Sequence, residues 1–234
     1  MLKEVLKRVL PLPVLDRLRP LWEYACSELE GIVVEKDISG LGETDATPSP
    51  LPAGMVEVSA EGENGAYFAG LKRRRGPLSV ARARRYLRRG FSGVAAVRDG
   101  QVVGDVWAVT RSTTRLPFVH GDLKRLGIRL AEDEAYVFDM YIEPEHRGLA
   151  LSTSLFQAAF RNLRARGVVK AKTYYAVGDL PALWTHRVMG YREVGRVKLR
   201  EILGVRLRYE FSTAGKPESR PPARVETRRA SSRR

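Results

Sequence analysis

Near its start the chain has apolar residues at Leu2, Val5, Leu6, Val9 and Leu10, with Lys3, Lys7 and Arg8 between them. This is the spacing of a single apolar face on a helix. Pro11, Pro13 and Pro20 break that face into short pieces, because proline lacks the amide hydrogen and clashes with the preceding turn. Residues 31–38 alternate weakly, as a strand would, and 39–54 are rich in Pro, Gly, Ser and Thr, as loops and linkers are. From Met55 the pattern becomes that of a mixed α/β domain. Residues 55–59 predict a short strand, and 79–89 a basic helix with Val80, Ala83 and Leu87 on one side. Residues 93–97 and 101–109 predict a hairpin, since Asp99-Gly100 between two β-rich runs supplies the positive φ angles of a tight turn. A further strand is expected at 134–142. A helix follows at 149–166, carrying Leu151, Leu155, Phe156, Ala159 and Leu163 at helical spacing and closed by Gly167. A strand at 168–177, a short helix at 180–189 stopped by Gly190, and two strands across 191–208 complete the pattern.

This divides the 234 residues into an amphipathic segment, strand and linker at 1–54, a domain at 55–211, and a tail at 212–234. The tail is rich in Pro, Ser and Arg and poor in large apolar residues, so disorder is expected there. No stretch approaches the roughly 20 apolar residues needed to span a bilayer, and no secretory leader is visible, so a cytoplasmic protein is expected. The basic amphipathic start would suit the periphery of a membrane. Lone Cys26 gives neither an internal disulfide nor a cysteine-based metal site, and no metal-ligand spacing appears. The formal charge of +14 points to anionic partners, RNA or a membrane surface. Its carriers, residues 72–75, 82–89 and the tail, are spread out as solvated faces are and match no nucleic-acid motif.

Ile142-Glu143-Pro144-Glu145-His146-Arg147-Gly148 leads from the strand straight into the helix. Such a turn leaves the first helical amides unpaired, and with the helix dipole they suit a pyrophosphate. The run Ile142-x-Pro144-x-x-Arg147-Gly148-x-Ala150-x-Ser152 resembles the acyl-CoA motif of the GCN5-related N-acetyltransferases (GNAT), Q/R-x-x-G-x-G/A, with Arg147 at the Q/R position, Ala150 in place of the usual first glycine and Ser152 in place of the last small residue. A second stretch from Asp179 through Ala182 and His186 to Gly190-Tyr191 resembles the family's later segment. There Asp179 stands where Asn is common, and His186 where many members carry a tyrosine that protonates the departing thiolate. The resemblance covers about 55–211 and implies the GNAT fold, a mixed, mostly antiparallel central sheet with helices on both faces.

It further implies direct acetyl transfer from acetyl-CoA, as cosubstrate, to an amine-bearing acceptor. Met140 and Ile142 would contact the pantetheine arm, and Arg147, Gly148, Leu149, Ala150, Leu151, Ser152 and Asp179 would bind the rest of the cofactor. His186 would act as acid, since histidine titrates near neutrality. Glu134 and Asp139 are the candidate bases, with Tyr136 and Tyr141 as relays. Strict alternation would put residues 134, 136, 138 and 140 on one face of the strand and 139 and 141 on the other. His120 and His146 receive no role, Trp107 and Trp184 are expected in the core, and the acceptor loop is expected within 111–133. The alternative reading is a catalytically weak or inactive GNAT-like protein that binds acyl-CoA or serves as a scaffold.

Overall fold

The computed structural model describes residues 26–40, 54–59, 64–111, 120–202 and 205–213. The amphipathic start, most of the 39–54 linker and the tail beyond Thr213 lie outside them. In chain order the elements are β1 (Cys26–Asp37), β2 (Met55–Val58), α1 (Gly65–Arg88), β3 (Ser92–Arg98), β4 (Gln101–Thr110), α2 (Gly121–Leu126), β5 (Glu134–Ile142), a 3₁₀ turn (Pro144–His146), α3 (Leu149–Ala165), β6 (Lys170–Ala176), α4 (Leu180–Val188), β7 (Arg192–Ile202) and β8 (Val205–Thr213). Among these residues no helix is long and apolar enough to cross a membrane.

The hairpin β3–β4 turns at Asp99 and Gly100, with φ of 51° and 68°, the left-handed values that such a turn needs. In α1, Gly76 at φ 76° and Pro77 interrupt the helix. Glycine accepts the left-handed angle, and proline removes a hydrogen-bond donor, so two helical pieces meet there at a kink.

The strands form one sheet in the order β2-β3-β4-β5-β6-β1-β7-β8. Neighbours are antiparallel except β5 and β6. β1, from the segment assigned apart from the 55–211 unit, lies between β6 and β7 and pairs with both. One face carries Tyr67, Leu71 and Ala83 of α1 and Leu123 and Leu126 of α2 against Trp107, Tyr136 and Phe138. The opposite face packs Leu155, Phe156, Ala159, Phe160 and Leu163 of α3 on Val106, Ala135 and Val137. This is the mixed sheet with helices on both faces that the sequence predicts.

Strict alternation fails inside β5. Asp105 faces Tyr141 and Trp107 faces Phe138, so three steps on β5 match two on β4. The extra residue lies at Asp139, whose φ is 48°, and the bulge resets the phase. Met140 and Ile142 therefore pack with the α3 side, not with Tyr136 and Phe138. Asp139 and Tyr141 turn towards α1, where Tyr86 bonds to Asp139 and Arg75 lies over the Tyr141 ring.

Candidate active site

Parallel pairing of β5 with β6 is limited to residues 134–136 against 170–172. Beyond that seam β5 continues along β4 and β6 along β1. The strands part, and a groove of about 1140 Å³ opens between them. Its lining runs from Arg147, Gly148 and Ser152 through Met140 and Ile142 to Tyr86, His120 and Asp122 on the other side of the sheet.

At the first mouth, Gly148 is the N-cap of α3, no side chain among the described residues caps the helix, and its first turn holds no acidic residue. The first intrahelical bond runs from the Ser152 amide to the Gly148 carbonyl, so the amides before it point out of the helix end. A Cβ built on Gly148 would meet nothing within 4 Å. The space beside these amides is open, as a phosphate-bearing ligand requires. Arg147 Nε donates to the Ile142 carbonyl, which holds the guanidinium beside the end of β5. Ser152 is buried, and its hydroxyl bonds back to Gly148. Ala150 and Leu151 do not line the groove, and Leu151 packs in the core beneath α3. Asp179 lines the groove and caps α4 by accepting from the Ala182 amide at 3.0 Å.

His186 also lines the groove, yet it is only 7% exposed, stacked on Tyr175 and edged by Phe156 and Tyr191. Burial lowers its pKa, against the opposing effects of the Ala182 carbonyl and Asp179. Nδ1 lies 2.6 Å from the Ala182 carbonyl oxygen, which only accepts, so the neutral ring carries its proton on Nδ1. Nε2 then presents a lone pair and is buried without a partner among the described residues. In this state His186 has no Nε2 proton to give, which argues against the acid role expected from the sequence. A depressed folded pKa makes its contribution to stability fall as pH drops below the ordinary histidine value of about 6.5. His186→Phe should therefore lose less melting temperature than the wild type between pH 7.5 and pH 5. Equal losses would show that this ring does not titrate on unfolding.

Of the two candidate bases, the groove takes only Asp139. Glu134 sits at the seam, where it accepts from Lys172 Nζ at 2.6 Å and from the Ala131 amide, with Lys170 at 3.7 Å. Burial would raise its carboxyl pKa, but Lys172, the Ala131 amide and Lys170 outweigh burial and hold it below the ordinary value. Glu134 is thus an ionised clamp across the parallel pair, poorly suited to take a proton. Asp139 is the opposite case. Burial raises its pKa despite Arg82 at 3.4 Å and the Tyr86 hydroxyl at 3.0 Å. Tyr86, with burial first and Asp139 second, is itself pushed up to about 12.

Sequence reasoning missed Tyr86 and gave His120 no role, though His120 and Asp122 fall within the 111–133 stretch expected to hold the acceptor loop; α1 and α2 bring all three to the groove. His120 caps α2, its Nδ1 accepting from the Asp122 amide, and its ring lies 4.1 Å from Phe138. No motif marks these positions. Trp107 is buried as expected, but Trp184 is 58% exposed at the groove. The basic runs are not wholly solvated faces either, since Arg75 and Arg82 turn inward onto carboxylates.

A helix-flanked mixed sheet, parted at a parallel seam beside an uncapped helix N-terminus, is the α/β arrangement that the resemblance in the sequence implied. Residues 61–191, more than half of the chain, match the acetyltransferase (GNAT) family, and the chain belongs to that family. No curated protein matches it. Among solved structures it is similar to a GNAT-family protein from Novosphingobium aromaticivorans (16% identity, 72% of this chain and 63% of that one, TM-score 0.45). It is also similar to a GNAT-family acetyltransferase from Colwellia psychrerythraea (9% identity, 75% and 57%, TM-score 0.48). A third is the aminoglycoside N-acetyltransferase AAC(6')-Iy in complex with CoA (15% identity, 59% and 91%, TM-score 0.42). The chain thus spans less than two thirds of the first two.

Proposed function

We propose that this protein is an N-acetyltransferase that moves acetyl from acetyl-CoA directly to the amine of an acceptor. The observation that carries this reading is the groove itself, which passes between the parted strands with a bare helix N-terminus at one mouth and a bulged, half-buried carboxylate midway. The amides opening α3, with Arg147 beside them, would hold the pyrophosphate. The backbone of β5 around Met140 to Ile142, unpaired on the β6 side, would hold the pantetheine amides. The thioester would then lie at the seam, and the amine would arrive from the side of Tyr86 and His120. Asp139 would take a proton from the arriving ammonium to free its lone pair, the nitrogen would attack the thioester carbonyl, the carbon–sulfur bond would break, and the departing CoA thiolate would take the second N–H proton.

The test is calorimetric titration of acetyl-CoA into wild type and Gly148→Asp. Aspartate at an N-cap satisfies helix amides and favours the dipole, and there is room for its side chain, so the variant should melt no lower than wild type. The same carboxylate repels a pyrophosphate, and affinity should fall by at least about tenfold. Undiminished binding by the variant would place the cosubstrate elsewhere.

A second reading, acyl-CoA binding without turnover, is favoured by the missing acid at His186, whose Nε2 presents only a lone pair. Tight acetyl-CoA binding with no CoA release across a broad amine panel would select it. An RNA or membrane partner for the basic segments would show as salt-sensitive binding to RNA or to anionic vesicles, weakened by removing residues 214–234.

A further inference from the structure

At the groove end away from Arg147, the lining includes Tyr86, His120, Asp122, Tyr136, Phe138 and Asp139. The aromatic rings form a continuous wall. His120 lies 4.1 Å from Phe138 and 5.6 Å from Tyr136, and Tyr86 stands edge-on to Phe138 at 5.3 Å. Both charged side chains lining this end are carboxylates. The groove's other charged lining residues, Arg147 and Asp179, belong to the opposite mouth.

The hydrogen bonds leave these groups facing the cavity with spare capacity. Asp139 Oδ2 takes the Tyr86 hydroxyl and Arg82, while Oδ1 has no partner among the described residues. Asp122 Oδ2 is approached by the Tyr136 hydroxyl at 3.4 Å. His120 Nδ1 accepts from the Asp122 amide, so a neutral ring carries its proton on Nε2. Arg82 reaches from α1 onto Asp139, and the charge of Arg89, just past the end of α1, is felt at His120, but neither lines the cavity.

We infer that the acceptor is a small primary amine with an aromatic or other apolar body and no acidic group, its ammonium held between Asp122 and Asp139 and its body against Tyr86, Phe138 and His120. The inference rests on the acetyl-transfer reading and names the substrate class for that site. Such an amine arrives protonated. At long range the net charge of +14 repels it, but salt screens that field beyond about 8 Å at physiological ionic strength, and inside the groove the charged side chains it meets at this end are the two carboxylates, Asp139 shared with Arg82 behind the wall. Aromatic faces add cation–π attraction and bury the apolar body. A carboxylate or phosphate on the acceptor would meet two like charges with no lining cation to offset them, and repulsion of that kind is how a site rejects near-neighbours.

Phenethylamine and phenylalanine differ only by a carboxylate and make the matched pair. Each is titrated calorimetrically into the full chain without acetyl-CoA, in wild type, Asp122→Asn and Asp139→Asn, with melting temperatures confirming that the variants fold. Phenethylamine should bind at least about tenfold more tightly than phenylalanine, and each variant should narrow that ratio by roughly threefold or more. Equal affinities, tighter phenylalanine, no binding of either amine, or an unchanged ratio in both variants would overturn the inference. The amine titrations read this end of the groove alone. Acetyl-CoA binding with the wrong amine preference therefore sinks only the substrate class, whereas the right preference without acetyl-CoA binding sinks acetyl transfer.

Discussion

Asp139→Asn should lower kcat/KM for acetyl transfer by roughly 10²–10⁴-fold, the usual worth of a positioned general base, while leaving the fold as stable as before or more so. Burial raises the Asp139 pKa against the pull of Arg82 and Tyr86. A folded pKa above the unfolded one means that the native state prefers the protonated acid. Its stabilising share is present in full below the unfolded pKa and is lost as pH rises through the folded value. At neutral pH the ionised carboxylate is therefore a burden that asparagine removes. Asparagine also tolerates the positive φ of 48° at this bulge better than most side chains, and its carbonyl can still accept from Tyr86. Arg82 loses its partner but is 39% exposed and can be solvated. The wild-type rate should fall as pH drops through the raised pKa, because the base becomes protonated, and the residual rate of the variant should lack that limb. A lowered melting temperature with an unchanged rate would make Asp139 a structural residue instead.

Arg75→Met should cost about 3–5 kcal/mol in urea unfolding, the range for breaking a buried ion pair on one side. Arg75 immediately precedes the kink of α1 at Gly76 and donates to Asp105 at 2.7 Å and to Glu143 at 3.0 Å. All three side chains are less than a tenth exposed. Burial opposes the arginine's charge, but Asp105 and Glu143 outweigh it and raise its pKa. Tyr67 donates to the other Asp105 oxygen, and the guanidinium covers Tyr141 at 3.9 Å. Removing the cation leaves two buried carboxylates that repel each other beside the bulged end of β5. Most of the loss comes from that uncompensated charge, so Arg75→Met combined with Asp105→Asn and Glu143→Gln should recover much of the stability. A triple variant no more stable than the single one would mean that packing, not charge, holds the kink against the sheet.

The anchor matters for function because it joins α1 to the two strands that shape the groove. Asp105 lies on β4 opposite Tyr141, Glu143 follows β5, and Tyr86 and Arg82 approach Asp139 from the same helix. The kink at Gly76 and Pro77 divides α1 between the part that carries Arg75 and the part that brings Tyr86 to the carboxylate.

What the sequence determined by itself was the local elements and one end of the site. The Asp99-Gly100 hairpin, the helix of residues 149–165 with its apolar stripe, and the strand-to-helix turn at Arg147-Gly148 are written in period and in turn chemistry, both short-range properties of the chain. Periodicity says that a residue faces a core, but it does not say which strand lies beside it. The weak strand at residues 31–38 therefore gave no sign that β1 would lie between β6 and β7. One inserted residue at Asp139 reversed the faces of Met140 and Ile142, because a bulge is defined only by the register against β4. Tyr86, His120 and Asp122 come from segments without a motif and meet only when α1 and α2 pack over the open seam. The surroundings of Glu134 and His186, which bear on their expected roles, were not legible either, since they come from partners far along the chain or from burial: Lys172 for the first, a ring of aromatic side chains for the second. Short-range physics wrote the Arg147-Gly148 end of the groove into the sequence, whereas the end at Tyr86 and His120 and the surroundings of the titratable groups were decided by tertiary packing.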